Sequence, residues 1–402
     1  MKVKLKNIAL NIIFLVLIFH GVWEEYSGIF KYVDELSSIC IGCWGIVVWI
    51  YSNKLKIHNR SIFIIGCFLC FNIMGWISSF ASNYRGFKIL LLSSFLTNKF
   101  FFMMIGWLLL IKCGHVKYIC ELKKSIRPML YCITVWQVIA VVTGAIPTFS
   151  EVNLCAKSTL LCALIFMTWN KKSDLINVAL VILLLLSTHK AKAAGAIVII
   201  LGLGVWCLYL KKKIKFAEIL MGVITVFLVA REKIVYYFIY GIKAEFPRIM
   251  LIKYGGIIAS QRFPFGTGWG TFGSYYAASM YSPIYKELGW SNHYSLGMNR
   301  TGYLNDTFWP TIYCETGWIG MIGFIIMILA IFMSIQKTYK RNFMIYAAGM
   351  LSYVYILITT LESTAYSHPA LLLHSFVFAV AINLSGELRE EEKNESLFFD
   401  DK

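Results

Sequence analysis

The stretch Gln261-Arg262-Phe263-Pro264-Phe265-Gly266-Thr267-Gly268-Trp269-Gly270-Thr271-Phe272-Gly273 sits inside Arg231 to Trp318, the one long polar segment in a chain of apolar runs and short loops. Phe246-Pro247-Arg248 precedes it. Leu304-Asn305-Asp306-Thr307-Phe308-Trp309-Pro310 and Cys314-Glu315-Thr316-Gly317-Trp318-Ile319-Gly320 follow it. Cations, aromatics, glycines and a few carboxylates converge in this segment, which splits the apolar runs into a large N-terminal and a small C-terminal set.

Hydrophobic residues fill 58% of 402 positions and charged residues 15%, with a mean hydropathy of +0.67, more apolar surface than a water-soluble domain can hide. The expected fold is therefore an all-α, polytopic membrane helical bundle in contact with the lipid bilayer. A net charge of +17 would suggest nucleic acid as the partner of a soluble chain. Here loop lysines and arginines report membrane orientation first, and no nucleic acid is expected.

An apolar run from Ile8 to Trp23 follows Lys2, Lys4 and Lys6. Glu24-Glu25 comes after it where a small-residue cleavage site would stand, so it reads as a retained first span. Further spans are expected near 36–51, 61–80, 92–111, 128–146, 154–169, 175–188, 194–210, 216–230, 317–335, 343–361 and 369–384, making twelve, several shorter than the ~20 residues of an untilted crossing. With both termini cytoplasmic, the inner loops collect Lys54, Lys56, Arg60, Lys112, Lys117, Lys123, Lys124, Arg127, Lys171, Lys172, Lys211, Lys212, Lys213, Lys215, Lys337, Lys340 and Arg341. The short outer loops and their margins hold only Lys31, Arg85, Lys88, Lys157, Lys190 and Lys192. This asymmetry puts the polar segment outside the cytoplasm. The expected organisation is a membrane bundle over 1–230, a large extracytoplasmic loop with the active site over 231–316, three C-terminal helices over 317–384 and an acidic cytoplasmic tail over 385–402.

The cysteines imply neither a disulfide framework nor a metal. Cys40/Cys43 and Cys67/Cys70 fall on expected membrane helices with no second pair in register. His20, His368 and His374 lie at or near span ends, and nothing local raises them to ligands. Lys99 beside Asn98 interrupts an apolar run; the favoured reading starts the span near Phe100 and lets Lys99 snorkel outward, the other being an inward-facing cation. Lys190 and Lys192, in an expected outer turn, oppose the orientation rule, which suggests an anionic partner and a place in the same outer cavity as Arg248.

Phe, Trp and Tyr crowd Arg231–Pro310 well above the 16% they hold in the whole chain. They must form a small core, dip into the membrane interface or line a binding face, and Trp269, Tyr275, Tyr276, Tyr281, Tyr285, Trp290 and Tyr294 would suit stacking on sugars. Gly268-x-Gly270-x-x-Gly273 spells a dinucleotide fingerprint, but no strand precedes it, so no nucleotide cofactor is inferred. Its glycines permit tight turns or let successive amides approach a phosphate. Arg248 and Arg262 would fork onto two phosphate oxygens.

An arginine, a Pro-Phe-Gly-x-Gly segment, Asn-Asp-x-Phe-Trp and Glu-x-Gly-x-x-Gly leading into the next span together resemble the large outer loop of bacterial polysaccharide polymerases, the Wzy group of the O-antigen ligase and polymerase superfamily. About 70 residues carry the resemblance closely. It implies a function for Arg248, places Lys190 and Lys192 at a turn where relatives carry Ser-Arg, and matches Asn305, Asp306, Glu315 and Gly317 to the end of the loop. Ligases usually carry histidine beside that asparagine; Leu304 stands here, which favours polymerase, with His293 as a spatial substitute.

The resemblance implies glycosyl transfer between undecaprenyl-diphosphate-linked oligosaccharides at the outer face of the bacterial cytoplasmic membrane, building capsule, exopolysaccharide or O-antigen. Arg248, Arg262 and Lys190 would stabilise the leaving diphosphate as its charge grows, so no metal or cofactor is required. Asp306 or Glu315 would deprotonate the attacking hydroxyl. Substrate contacts are expected from Lys190, Lys192, Arg262, Gly266, Gly268, Trp269, Asn305 and His293. A chain-length regulator and a flippase are implied as partners. Ligation of finished glycan and lipid-linked sugar transport are the competing readings. Transporters place charges at mid-membrane depth, whereas this sequence concentrates its polar chemistry in one loop.

Overall fold

The structure, a computed structural model, describes residues 2–52, 57–112, 117–144, 146–169, 173–206, 218, 235–236, 240–361 and 363–399. All regular structure among them is helical. Among the described residues, eight helices precede the polar segment: α1 (Lys2–Tyr26), α2 (Val33–Tyr51), α3 (Asn59–Ser82), α4 (Phe87–Leu110), α5 (Lys117–Thr143), α6 (Glu151–Met167), α7 (Asp174–Leu186) and α8 (Ala191–Leu203). The segment contributes α9 (Pro247–Gln261) and several short turns, and the chain continues through α10 (Trp309–Thr338), α11 (Phe343–Thr359) and α12 (His374–Phe399).

Local chemistry sets several of these starts. The Ser150 hydroxyl accepts from the Asn153 N–H ahead of α6, and Asn342 Oδ1 accepts from the Met344 and Ile345 N–H groups at 3.0 Å ahead of α11. Prolines open α9 and α10, where the missing N–H would lack an intrahelical partner anyway.

Along α10, Ile319, Ile322, Ile326, Leu329 and Met333 recur at helical spacing and are all exposed. An outward apolar stripe of that length suits lipid rather than water, and it identifies a membrane protein. Among the described residues, six helices are long and apolar enough to cross a membrane: Phe30–Tyr51, Asn59–Ser82, Phe87–Leu110, Lys124–Thr143, Trp309–Thr338 and Pro369–Gly386. Four further apolar stretches, Asn11–Glu24, Asp174–Leu186, Lys192–Trp206 and Phe343–Thr359, are shorter. The physical reason is length: the 13 residues of α7 reach about 20 Å at 1.5 Å per residue, against a hydrocarbon core of about 30 Å. The span expected near 216–230 lies almost wholly outside the described residues.

Helices α2 and α4 run side by side, as do α3 and α10, α6 and α11, and α4 and α12. Gly45 and Gly106 explain the first pair, because a Cβ on either would collide with main-chain atoms of the other helix. Where α3, α4 and α10 meet the turn before α12, Phe71, Phe101, Phe324 and Tyr366 interlock with Phe308. Phe101 stacks on Tyr366 at 4.9 Å, and Phe71 and Phe308 lie 5.1 and 5.5 Å from Phe324. This cluster fixes the end of the polar segment to the bundle.

Two expectations about the segment change. The helix after it begins at Trp309 rather than 317, but its backbone breaks at Gly317 (φ 74°, ψ 175°), so the anticipated boundary is a kink within α10. Part of the aromatics form a small core, one of the three expected arrangements, while Tyr275 and Tyr294 stay exposed. Phe272, Tyr281, Tyr285 and Trp290 are buried with Met250, Leu251, Leu304 and Tyr313, and the Tyr285 and Trp290 rings stack at 5.7 Å.

Candidate functional site

A cavity of about 620 Å³ opens where the polar segment meets the bundle. Ser274, Tyr275, Tyr276, Ser279, Asn305, Phe308 and Thr311 line it from the segment side, and His20, Lys31, Asp34, Glu35, Ser93, Thr97 and Lys99 from α1, α2, α4 and the turn before α2. Thr364, Ser367 and His368 close it from the turn before α12. Hydroxyls, carboxylates and the half-exposed Tyr275 ring thus share one space of the size that small-ligand sites occupy.

Lys99 lies in the body of α4, only 2% exposed, and its ammonium donates to Asp34 Oδ2 and, at 3.4 Å, to Glu35 Oε1. This corrects the outward-snorkelling reading: α4 begins at Phe87, twelve residues earlier than Lys99, and the charge is held by carboxylates of α2. His20 Nε2 lies 3.6 Å from Asp34 Oδ1, and the Asp34 and Glu35 side chains are hydrogen-bonded to each other. Lys157, expected at an outer margin, is also fully buried and donates to the Leu17 carbonyl. Burial first, then Lys157, Lys192 and Lys99, lowers the His368 pKa to about 4. It is neutral at pH 7, and its Nδ1 accepts from the Ala370 N–H at 3.2 Å.

Of the residues singled out in the sequence, Arg248 and Asp306 come together. Arg248, at the start of α9, places Nε and Nη2 each 2.8 Å from Asp306 Oδ2, and both side chains are about one-third exposed. Asn305, the residue before Asp306, lines the cavity.

Glu315, Gly266, Gly268 and Trp269 form a second group with a different task. Glu315 is completely buried, and its Oε1 accepts from the Thr271 N–H at 2.9 Å, the Phe272 N–H at 3.1 Å and the Ser274 hydroxyl at 2.7 Å. The glycine-rich turn does form an anion-binding nest of amides, filled by the protein's own carboxylate. Gly268 (φ 87°) donates to the Glu315 carbonyl at 2.9 Å, and Gly266 donates to Ser78 Oγ at 2.8 Å. Trp269 is fully buried, its N–H on Ser79 Oγ at 2.9 Å and its indole edge-on to Phe71 over Gly75, so neither ring face is open to a sugar.

The remaining residues are dispersed. Lys190 pairs with Glu151 at 2.7 Å on the surface, and Lys192 is buried within electrostatic range of His368; neither lines the cavity, nor does Arg248. Arg262 lies over the Tyr84 ring, 4.8 Å from its centroid, and donates to its hydroxyl. His293 Nδ1 accepts from the Ser295 and Leu296 N–H groups, and its Nε2 lies 3.5 Å from Glu245. That pins a turn of the segment. The residues that sequence reasoning missed are Asp34, Glu35 and His20, and their one local signal was charge at the margin of an apolar run. Comparison of the chain with protein-family models and with curated proteins yields no match.

Proposed function

We propose that this membrane protein is an oligosaccharide repeat-unit polymerase, transferring a glycan from one undecaprenyl-diphosphate carrier to a hydroxyl of another at the outer face of the bacterial cytoplasmic membrane. In this reading the chain crosses the membrane twelve times with both termini inside, and the segment 231–316 lies outside. The observation that carries it is the cavity at the junction of segment and bundle, where hydroxyls, Asn305 and tyrosine rings meet buried charge. A lipid-linked sugar presents its glycan and diphosphate at such a junction while its tail stays in lipid. Arg248, beside the cavity through Asp306 and Asn305, is the cation suited to the diphosphate. Its ion pair keeps the guanidinium oriented before substrate arrives, as preorganised electrostatic stabilisation requires.

Asp34, Lys99 and Lys157 favour a second reading. Ionisable groups buried within a helical bundle are also how transporters carry ions. The glycan profile of a deletion strain separates the two. Single repeat units on the final acceptor identify a lost polymerase, whereas substrate trapped on the cytoplasmic side identifies a lost transporter. Free polymer left on the lipid carrier would point to ligation.

A further inference from the structure

Seven rings of the polar segment suit sugar stacking by residue type, and their surroundings sort them. Trp269, Tyr281, Tyr285 and Trp290 are buried. The Tyr285 hydroxyl accepts from the Gly273 N–H at 2.8 Å and the Tyr281 hydroxyl donates to the Leu296 carbonyl at 3.2 Å, so both serve the segment's own fold. Tyr294 is exposed, but it donates to the Ala244 carbonyl at 2.9 Å and does not line the cavity. Tyr275 and Tyr276 remain, and both line it. Tyr275 is 48% exposed, and its edge-to-face contact with Tyr276 (5.4 Å, 83°) covers at most one of its two faces. A third cavity ring comes from the bundle side. Tyr32, the residue before α2, is 63% exposed and, like Tyr275, lies within electrostatic range of Tyr276. Tyr275 is also held in place by the clasp beneath it. The Ser274 hydroxyl donates to Glu315 Oε1 at 2.7 Å and accepts from the Ala277 N–H at 3.4 Å, so the buried carboxylate sets the start of the turn Tyr275–Ser279. That turn packs on Thr301–Tyr303, which leads into Asn305 of the same cavity.

We propose that Tyr275 and Tyr32 form a sugar-binding subsite of the cavity, Tyr275 stacking on the C–H face of one pyranose of the glycan and Tyr32 bordering that pyranose from the bundle side. The inference rests on the polymerase reading above, which supplies the lipid-linked glycan as ligand. A pyranose presents C–H bonds on its face and hydroxyls around its rim. An open aromatic face takes the first by removing apolar surface from water. The Ser279 and Thr311 hydroxyls and the Asn305 amide, in the same cavity, offer donors and acceptors to the second. Tyrosine suits the task because it brings a large, stiff contact surface at little cost in conformational entropy. The rings carry no charge, so the subsite holds the glycan and not the carrier's diphosphate, and it sets specificity without entering the chemical step.

The test measures binding to the full-length chain in detergent, by microscale thermophoresis, of two probes: the lipid-linked repeat unit extracted from the producing strain, and undecaprenyl diphosphate without glycan. Tyr275→Ala and Tyr32→Ala are each expected to weaken the first about tenfold, as loss of roughly half the apolar burial of an aromatic ring implies, and to leave the second unchanged. Tyr275→Phe, which keeps the ring, should recover the affinity. In polymer formation the alanine variants should raise KM with little change in kcat, the mark of binding lost equally from ground and transition states. Unchanged affinity of either alanine variant for the glycan-bearing probe overturns the subsite. So does an equal loss for the bare carrier, or a Tyr275→Phe as weak as alanine. Should Tyr275→Ala not fold, Tyr275→Leu, which keeps bulk without a ring, is read by the same outcomes. A deletion strain that still makes full polymer removes the polymerase reading itself, whereas the two affinities decide the subsite in either case.

Discussion

Removing the Glu315 side chain separates a clasp from a catalyst. In the folded chain its Oε1 is the acceptor for the Thr271 N–H, the Phe272 N–H and the Ser274 hydroxyl, all in a region without solvent. Glu315→Ala strands all three donors. A buried donor left unsatisfied costs about 1–3 kcal/mol; the three share one acceptor and relax together, so the loss is set at about 3–5 kcal/mol, the range seen when one partner of a buried charged contact is deleted. Glu315→Gln keeps an acceptor oxygen but puts an amide donor among backbone N–H groups that themselves seek acceptors, those of Gly270, Thr271 and Phe272. A loss of roughly 2 kcal/mol follows from that single stranded donor.

The measurement is thermal unfolding in detergent, followed by tryptophan fluorescence, beside limited proteolysis between residues 262 and 274. Alanine should unfold at the lowest temperature and open the glycine-rich turn to protease; glutamine should fall between it and wild type. Loss of polymer should track those changes. An alanine variant with wild-type stability and protease resistance but no polymer would refute the clasp and return Glu315 to the chemistry.

Other perturbations probe neighbouring parts of the site. Arg248→Ala should abolish long polymer, since one preorganised electrostatic contact is worth on the order of 10²–10³ in rate. Its pair with Asp306, about one-third exposed, contributes no more than about 1 kcal/mol, so abundance on a membrane immunoblot should be unchanged; Arg248→Lys should leave short chains at best. Lys99→Met leaves Asp34 and Glu35 facing each other without a cation and should destabilise by about 3–5 kcal/mol, and adding Asp34→Asn should recover part of the loss in thermal unfolding. Gly317→Ala meets both a positive φ and the Phe265 main chain, a strain of about 1–3 kcal/mol, whereas Gly302→Ala enters open space and should not shift the melting curve. His368 is lowered from 6.5 to about 4 on folding, so the unfolded chain binds the extra proton. Its contribution is therefore complete above pH 6.5 and is lost as pH falls towards 4. His368→Asn, which can keep the cap on Ala370, should flatten that part of the stability profile.

Much of the architecture was legible because hydropathy and glycine are local signals. The apolar runs at 61–80 and 92–111 are α3 and α4 to within a few residues at most ends, and the break between the polar segment and the following span is Gly317, whose conformation suits glycine alone. Span length was less legible. An apolar run shows that a helix is buried in something, but not how far it extends: α7 and α11 come to 13 and 17 residues, short of an untilted crossing of about 20.

The candidate site was legible only where its partners lie close in sequence or where one residue type admits a single use. Glycines with successive amides signalled an anion nest, and that nest exists. Which anion fills it depends on Glu315, more than forty residues on, and no local pattern distinguishes an internal carboxylate from a phosphate. Lys99 shows the same limit more sharply. Taken alone, a lysine in an apolar run is expensive, and the least costly account sends its ammonium to the surface. The expense disappears once α2 packs on α4 through Gly45 and Gly106, because the close approach brings Asp34 and Glu35 onto that ammonium from 65 and 64 residues away. A charge in an apolar run is therefore half of a statement whose other half stands on another helix. Here the two glycines that allow the helices to touch were the readable clue that such a pairing was sterically open.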